Sequence, residues 1–97
     1  QMPLRYTNQS ILDSVAYTRK HASLFDVTHL SRHHFKTDSE SNLIKFFHSL
    51  FPTDCQAMRS DSLKYSLLLS SSGGGIIDDA IITKFSPLHY GLVTNCS

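Results

Sequence analysis

The chain has 97 residues, of which 40% are hydrophobic and 18% are charged, so its length and composition suit at most one small globular domain. Nine Lys and Arg against eight Asp and Glu give a formal net charge of +1, which favours neither a nucleic-acid partner nor an anionic membrane surface. No apolar run approaches the roughly 20 residues that cross a bilayer, so we expect no membrane partner.

The first third of the chain predicts a helix followed by a strand. Ser10 is a typical N-cap residue, and apolar residues follow it at helical spacing, which predicts an amphipathic helix over residues 10–20. The segment from Leu24 to Phe35 is rich in β-branched and aromatic residues and predicts a strand. A turn at residues 37–39 then leads into a second helix.

The second predicted helix has one wide apolar face. Its apolar residues recur at three- and four-residue steps: Leu43, Ile44, Phe46, Phe47, Leu50 and Phe51. Pro52 ends the helix, because its ring cannot continue the backbone hydrogen bonds. We interpret the aromatic residues of this face as core rather than as a cofactor-binding surface.

The remainder of the chain predicts three strands. Residues 65–70 form the first, the small residues of 70–75 form a turn, and residues 76–84 return as the hairpin partner. Pro87 interrupts before a last strand over 89–94. The element order predicts an α+β fold with an antiparallel sheet, two helices and ferredoxin-like, split βαβ elements.

Two adjacent acids, Asp78 and Asp79, stand inside an apolar run of the middle strand. Successive side chains of a strand point to opposite faces, so Asp79 would share a face with Ile77 and Ile81, and at most one acid would comfortably face water. A buried carboxylate persists only with hydrogen bonds, a cationic partner or a ligand. The simplest interpretation is an exposed Asp78 and a hydrogen-bonded Asp79, and a binding site around Asp79 is the alternative.

The histidines and cysteines favour structural roles. His29 and His33 would share a face of a strand at a permissible ligand spacing. No third acidic or Cys ligand stands at a supporting interval, so we expect no metal site. Cys55 and Cys96 lack a CxxC or His-linked spacing, and we interpret both as free, buried thiols.

Four segments carry a stronger signal when they are taken together. They are Met2-Pro3-Leu4-Arg5-Tyr6, Leu24-Phe25-Asp26-Val27-Thr28-His29-Leu30, Gly74-Gly75-Ile76-Ile77-Asp78-Asp79 and Val93-Thr94-Asn95. In this order they resemble the MPVxY, LFDVSHM, GGxxDD and VxNA stretches of the folate-binding domain of the aminomethyltransferase family, the T-proteins of the glycine cleavage system. The resemblance runs from Met2 to Asn95, which is almost the whole chain.

The resemblance implies a tetrahydrofolate site and places three residues in it. In the family the second acid of GGxxDD is the catalytic carboxylate beside the pterin, which corresponds to Asp79. The Asn of VxNA contacts the pterin and corresponds to Asn95. The last residue of LFDVSHM lines the folate pocket and is Leu30 here, a replacement of Met that keeps volume and apolarity.

The resemblance also implies an activity. Family members transfer the methylene group of an aminomethyl-lipoyl carrier protein, the H-protein, to tetrahydrofolate and release ammonia. The implied location is the mitochondrial matrix in a eukaryote and the cytoplasm otherwise. Because family proteins are several times longer, residues 1–97 would be a partial N-terminal folate-binding domain, truncated at both ends and inactive alone.

Two alternatives from other functional classes stay open at this point. A folate-binding relative in iron–sulfur cluster maturation would share the domain but not the methylene-transfer chemistry. A non-enzymatic product, either a degenerate fragment or a structural subunit, would expose apolar surface that nothing covers.

Overall fold

The chain folds into two helices and a four-stranded antiparallel sheet, and the computed structural model describes residues 4–96. In chain order the elements are α1 (Ile11–Lys20), β1 (Ser31–Lys36), α2 (Glu40–Leu50), β2 (Ser62–Leu69), β3 (Ile76–Ser86) and β4 (His89–Thr94). The predicted α+β class, the antiparallel sheet and the two helices are confirmed. No helix within residues 4–96 is long and apolar enough to span a bilayer.

The strands that flank α2 are not neighbours in the sheet. The strand order is β1-β4-β3-β2, so β1 and β2 form the two edges and run antiparallel to each other. The helix therefore connects the two edges and packs on one face of the sheet, with two strands between those that it joins.

The core lies between α2 and the sheet. Phe47 is fully buried, and its ring centroid lies 5.1 Å from that of the buried Tyr90 of β4. The other members of the buried cluster are Leu43, Phe51, Cys55, Met58, Ala80 and Ile82. The predicted apolar face of α2 is thus confirmed, except that Phe46 stays 44% exposed while it packs against the Phe35 ring at the border of the core.

A buried lysine of the sheet forms a hydrogen bond with the loop that follows α2. Lys84 Nζ donates to the carbonyl of Cys55 (3.3 Å) and lies 3.9 Å from Glu40 Oε1, and the Tyr90 hydroxyl donates to the same carbonyl (3.2 Å). Burial raises the pKa of Tyr90 to about 12 and also raises the pKa of the Cys55 thiol, so both groups are protonated at neutral pH. Cys55 is a free buried thiol as predicted, whereas Cys96 is free but exposed.

Helix α1 begins where the sequence predicted. The Ser10 hydroxyl accepts a hydrogen bond from the backbone N–H of Asp13 (3.1 Å), and the Asp13 carboxylate accepts one from the Ser10 N–H (3.2 Å), which completes a capping box. No residue of α1 is buried, and Leu12 is 80% exposed. The radius of gyration, 17.6 Å, exceeds the value of about 12.5 Å for a compact domain of this length. The described chain is therefore elongated, with an uncovered helix.

The segment from Leu24 to Phe35 is a strand only from Ser31 onward, so the predicted start of this strand was wrong. Asp26 Oδ1 accepts hydrogen bonds from the N–H and the hydroxyl of Thr28 (2.9 and 2.7 Å), and the Leu30 N–H donates to the Val27 carbonyl (3.1 Å). These local bonds favour a turn over strand pairing. His29 lies in that turn and does not share a strand face with His33.

The hairpin between β2 and β3 contains a turn and a bulge. Ser70 donates its N–H to the Gly75 carbonyl (2.8 Å), and Gly74 adopts φ +69°, a left-handed conformation that favours glycine. Leu68 pairs with Asp78 but Leu69 pairs with Ile76, which leaves Ile77 as the extra residue of a β-bulge. The turn was predicted, whereas β2 begins three residues earlier than predicted, at Ser62.

Candidate functional site

Three adjacent strands bring the predicted site residues to one end of the sheet. Ser31 of β1 pairs with Thr94 of β4, and Thr94 pairs with Ala80 of β3. These three paired residues form a row across the sheet. The next residue beyond the row, toward the same end of the sheet, is Leu30 before β1, Asn95 after β4 and Asp79 in β3. The strand register therefore places at one sheet end three residues that lie far apart in the sequence.

Asn95 connects the two acids of β3. Its Nδ2 donates to Asp78 Oδ1 (2.8 Å) and to Asp79 Oδ1 (2.6 Å), while the backbone N–H of Asp79 donates to Asp78 Oδ1 (2.9 Å). Both acids are half-buried. The expectation of an exposed Asp78 was therefore wrong, because the amide that follows β4 binds both carboxylates at once.

Strand alternation places the two acids on opposite faces of β3, while one oxygen of each turns toward the Asn95 amide at the end of the sheet. Asp78 alternates with Ala80 and Ile82, which face α2, whereas Asp79 alternates with Ile81 on the side that α2 does not cover. Strand pairing places further side chains around Asp79 on that side. We call this group the open face: Tyr65, Leu67, Asp79, Ile81 and Val93. The predicted common face of Asp79 and Ile81 is confirmed, while the bulge at Ile77 interrupts the alternation toward the turn.

The neighbours of Asp79 favour its ionised form. The Tyr65 hydroxyl and, to a lesser degree, the Asn95 amide hold the pKa of Asp79 below its usual value, because both interactions favour the charged form. The same interaction with Asp79 raises the pKa of Tyr65. At neutral pH the open face therefore presents a carboxylate that accepts hydrogen bonds, next to a phenol that stays protonated.

Tyr65 is a neighbour of Asp79 that sequence reasoning missed. It pairs with Ile81, while Leu67, two residues further along β2, pairs with Asp79. Tyr65 is therefore a diagonal neighbour of Asp79, within reach of a long side chain. Only the register of β2 against β3 places Tyr65 there, and the bulge at Ile77 shifts this register by one residue, so no sequence pattern could have found it.

The hydrogen bonds leave acceptors free on the open face. A carboxylate only accepts hydrogen bonds, so the Asn95 amide nitrogen must face the two acids, and both of its protons are used there. Asn95 Oδ1 and the lone pairs of the Asp79 carboxylate that Asn95 does not use remain as acceptors on the face that carries Ile81 and Val93. Such a set suits a flat ligand that carries N–H donors on one edge and apolar faces.

No group of three or more His, Cys, Asp and Glu side chains converges as a metal site within the described residues.

Comparison with known proteins gives the family. The GCVT N-terminal domain model matches residues 1–97. The chain belongs to this family. Its relatives include the mitochondrial aminomethyltransferase of Saccharomyces cerevisiae, 39% identical over 83 residues that make up 86% of this chain and 20% of the relative. Mitochondrial aminomethyltransferase of Homo sapiens is 35% identical over 94 residues, which are 97% of this chain and 22% of the relative.

Bacterial relatives match this chain over its whole length. Aminomethyltransferase of Thermotoga maritima is 33% identical over all 97 residues, which are 25% of the relative. The chain thus spans a fifth to a quarter of the length of these relatives. The resemblance drawn from the four sequence segments is confirmed.

Proposed function

We propose that this GCVT N-terminal domain provides one wall of the tetrahydrofolate site of an aminomethyltransferase. The reaction is the transfer of a methylene group from an aminomethyl-lipoyl carrier protein to tetrahydrofolate, with release of ammonia. The observation that carries the proposal is the cluster of Asp79 and Tyr65 on the open face with Asn95 at its end, in a chain of this family. The relatives' names favour this activity over iron–sulfur cluster maturation.

The chemistry of the open face fits a reduced pterin. A pterin ring is flat and carries N–H donors at its edge, and the Asp79 carboxylate and Asn95 Oδ1 are acceptors that suit such donors. Ile81 and Val93 pair across β3 and β4 and offer apolar contact to the face of a ring. The proposed role of Leu30 is to close the same end of the sheet, because it precedes β1 at the level of Asn95.

Asp79 has two proposed roles in the reaction. Tetrahydrofolate supplies the ring-side nitrogens that take up the methylene group. The Asp79 carboxylate, held by Asn95 and Tyr65, orients the ring through a hydrogen bond toward the aminomethyl carbon. Its negative charge also stabilises the positive charge that develops as ammonia leaves, and this effect is strongest where little water competes.

The proposed partner is the lipoyl carrier protein of the glycine cleavage system, which delivers the aminomethyl group. The proposed location is the mitochondrial matrix if the source is a eukaryote, and the cytoplasm otherwise. The mitochondrial names of the Saccharomyces cerevisiae and Homo sapiens relatives support the first of these locations.

Asn95→Ala tests the proposed binding role. In a full-length aminomethyltransferase that contains this domain, we expect the substitution to weaken tetrahydrofolate binding by about 1–3 kcal/mol, because it removes an acceptor and releases the two carboxylates that the amide holds. Isothermal titration calorimetry measures the affinity. Asn42→Ala, at an exposed position on α2, is the matched control. An unchanged affinity for the Asn95 variant would remove this residue from the site.

A second prediction concerns the 97-residue chain by itself. We expect it to associate in solution and to show no methylene transfer, because the apolar side chains of α1 and of the open face are exposed and one wall does not enclose a pterin. Light scattering after size-exclusion chromatography and an ammonia-release assay give the two measurements. A monomeric preparation that releases ammonia with aminomethyl carrier protein and tetrahydrofolate would contradict both expectations.

A further inference from the structure

A pair of histidines joins β1 to β4 at the end of the sheet away from Asp79. His34 Nδ1 lies 2.9 Å from His89 Nε2, and the ring centroids are 5.2 Å apart. The distance between the ring centroids is close to the distance between the two nitrogens plus one ring radius at each end. The two centroids and the two nitrogens therefore lie almost on one line, with the nitrogens facing each other. The contact is therefore a well-aligned N–H···N hydrogen bond in which one ring donates and the other accepts.

An aromatic ring packs on both imidazoles. The Phe85 ring centroid lies 4.6 Å from that of His89 and 5.6 Å from that of His34, to which it is nearly parallel. Phe85 also lies directly over Gly91, where a Cβ atom would come within 2.8 Å of its ring. Three strands thus meet at this corner: β1 through His34, β3 through Phe85 and β4 through His89 and Gly91.

The hydrogen bond exists only while one of the two rings is neutral. An imidazole accepts a hydrogen bond through an unprotonated nitrogen, so a second proton on the pair leaves two donors face to face and two like charges in contact. We propose that the His34–His89 pair is a pH-operated latch, closed with at most one added proton and opened when a second proton from solvent binds. Opening releases Phe85 and loosens the edge strand β1 from β4.

The charges around the pair support this direction. Loss of hydration lowers the pKa of His89, and Lys36 of β1 and His34 lower it further. Lys36 pairs directly with His89, and it is the charged residue that acts on His89 from β1, while Phe85 is the uncharged contact from β3. Because the pKa of His89 is lower in the folded chain than in the unfolded chain, the closed latch stabilises the fold fully at any pH above the unfolded-state pKa of about 6.5. This stabilisation is lost as the pH falls through the pKa that His89 has in the folded chain.

Hydrogen–deuterium exchange followed by mass spectrometry tests the latch in a full-length aminomethyltransferase that contains this chain. Exchange at the imidazole C2–H reports the protonation of each histidine between about pH 5 and about pH 8, a range that brackets the ordinary pKa of about 6.5. In His34→Gln we expect the half-protonation of His89 to move to higher pH, because one cation that lowers its pKa is removed. His33→Gln, on the opposite face of β1, is the control and should leave His89 unchanged.

Backbone amide exchange in the same samples reports the opening. In the unsubstituted chain, peptides from β1 should lose protection as the pH falls, after correction for intrinsic rates, while peptides from β2 keep theirs. This loss should be absent in His34→Gln and in His89→Gln. The proposal is overturned if β1 protection does not change with pH in the unsubstituted chain, a result that needs no variant to fold. It is also overturned if His89 titrates alike with and without His34.

Discussion

Asp79→Asn in a full-length aminomethyltransferase is expected to lower the rate of methylene transfer by about 10²-fold or more, the scale for removing one preorganised electrostatic group. The amide keeps the size of the side chain but loses the negative charge that Tyr65 and Asn95 stabilise. Asn95 would also lose one of its two carboxylate partners, so the geometry of the remaining acceptor would be less well defined. The measurement is ammonia release with aminomethyl carrier protein and tetrahydrofolate.

Asp78→Asn is the matched control for this experiment. Asp78 accepts from the same Asn95 amide, but its side chain points to the side of the sheet that α2 covers. We therefore expect a much smaller loss of rate, with the same circular dichroism spectrum for both variants and the parent. Equal losses at the two positions would show that the acid pair acts as a structural unit, and the role proposed for Asp79 would be wrong.

Phe47→Ala is expected to remove about 3–5 kcal/mol of the free energy of unfolding, the usual cost of deleting a buried aromatic ring. Phe47 is fully buried, and its ring packs against those of Phe35, Phe51 and Tyr90. The free energy of unfolding of a small domain is only about 5–15 kcal/mol in total, so this loss is a large share of it. Urea unfolding followed by circular dichroism should show an early transition or none.

Phe46→Ala provides the comparison on the same helix. The residue is adjacent in sequence and of the same type, but it is 44% exposed and packs at the border of the core. Removal of the Phe46 ring should lower the free energy of unfolding clearly less than removal of the Phe47 ring. If both variants unfold at the same urea concentration, the helix does not bury the face that its periodicity predicts, and the position of the core would be wrong.

Local signals predicted the helices well and the first strand poorly. Ser10 as a cap, the apolar steps of α2 and Pro52 each act within one or two turns, so the sequence alone carries them. The composition of residues 24–30 suits a strand, yet Asp26 bonds locally to Thr28 and forms a turn. Residue propensity was overruled there by a side chain that competes for backbone hydrogen bonds.

Some features of the candidate site were predicted from the sequence, and others were not. Asp79 and Asn95 were found through the family resemblance, and the alternation along β3 placed Asp79 with Ile81 on one face. The place of Tyr65 depends on how β2 pairs with β3, which the bulge at Ile77 shifts, and the shared amide of Asn95 depends on how β3 pairs with β4. Long-range register is therefore the part that sequence patterns did not supply.

The two edges of the sheet differ in how readily they accept another strand. Edge strand β1 carries Arg32, Lys36 and two histidines in six residues, and lysine or arginine on an edge discourages pairing with a further chain. Edge strand β2 carries Lys64 as its one charged residue in eight and has no proline, so its free N–H and C=O groups are unguarded. Growth of this sheet, whether by a strand of the same protein or by aggregation, would therefore proceed from the β2 side.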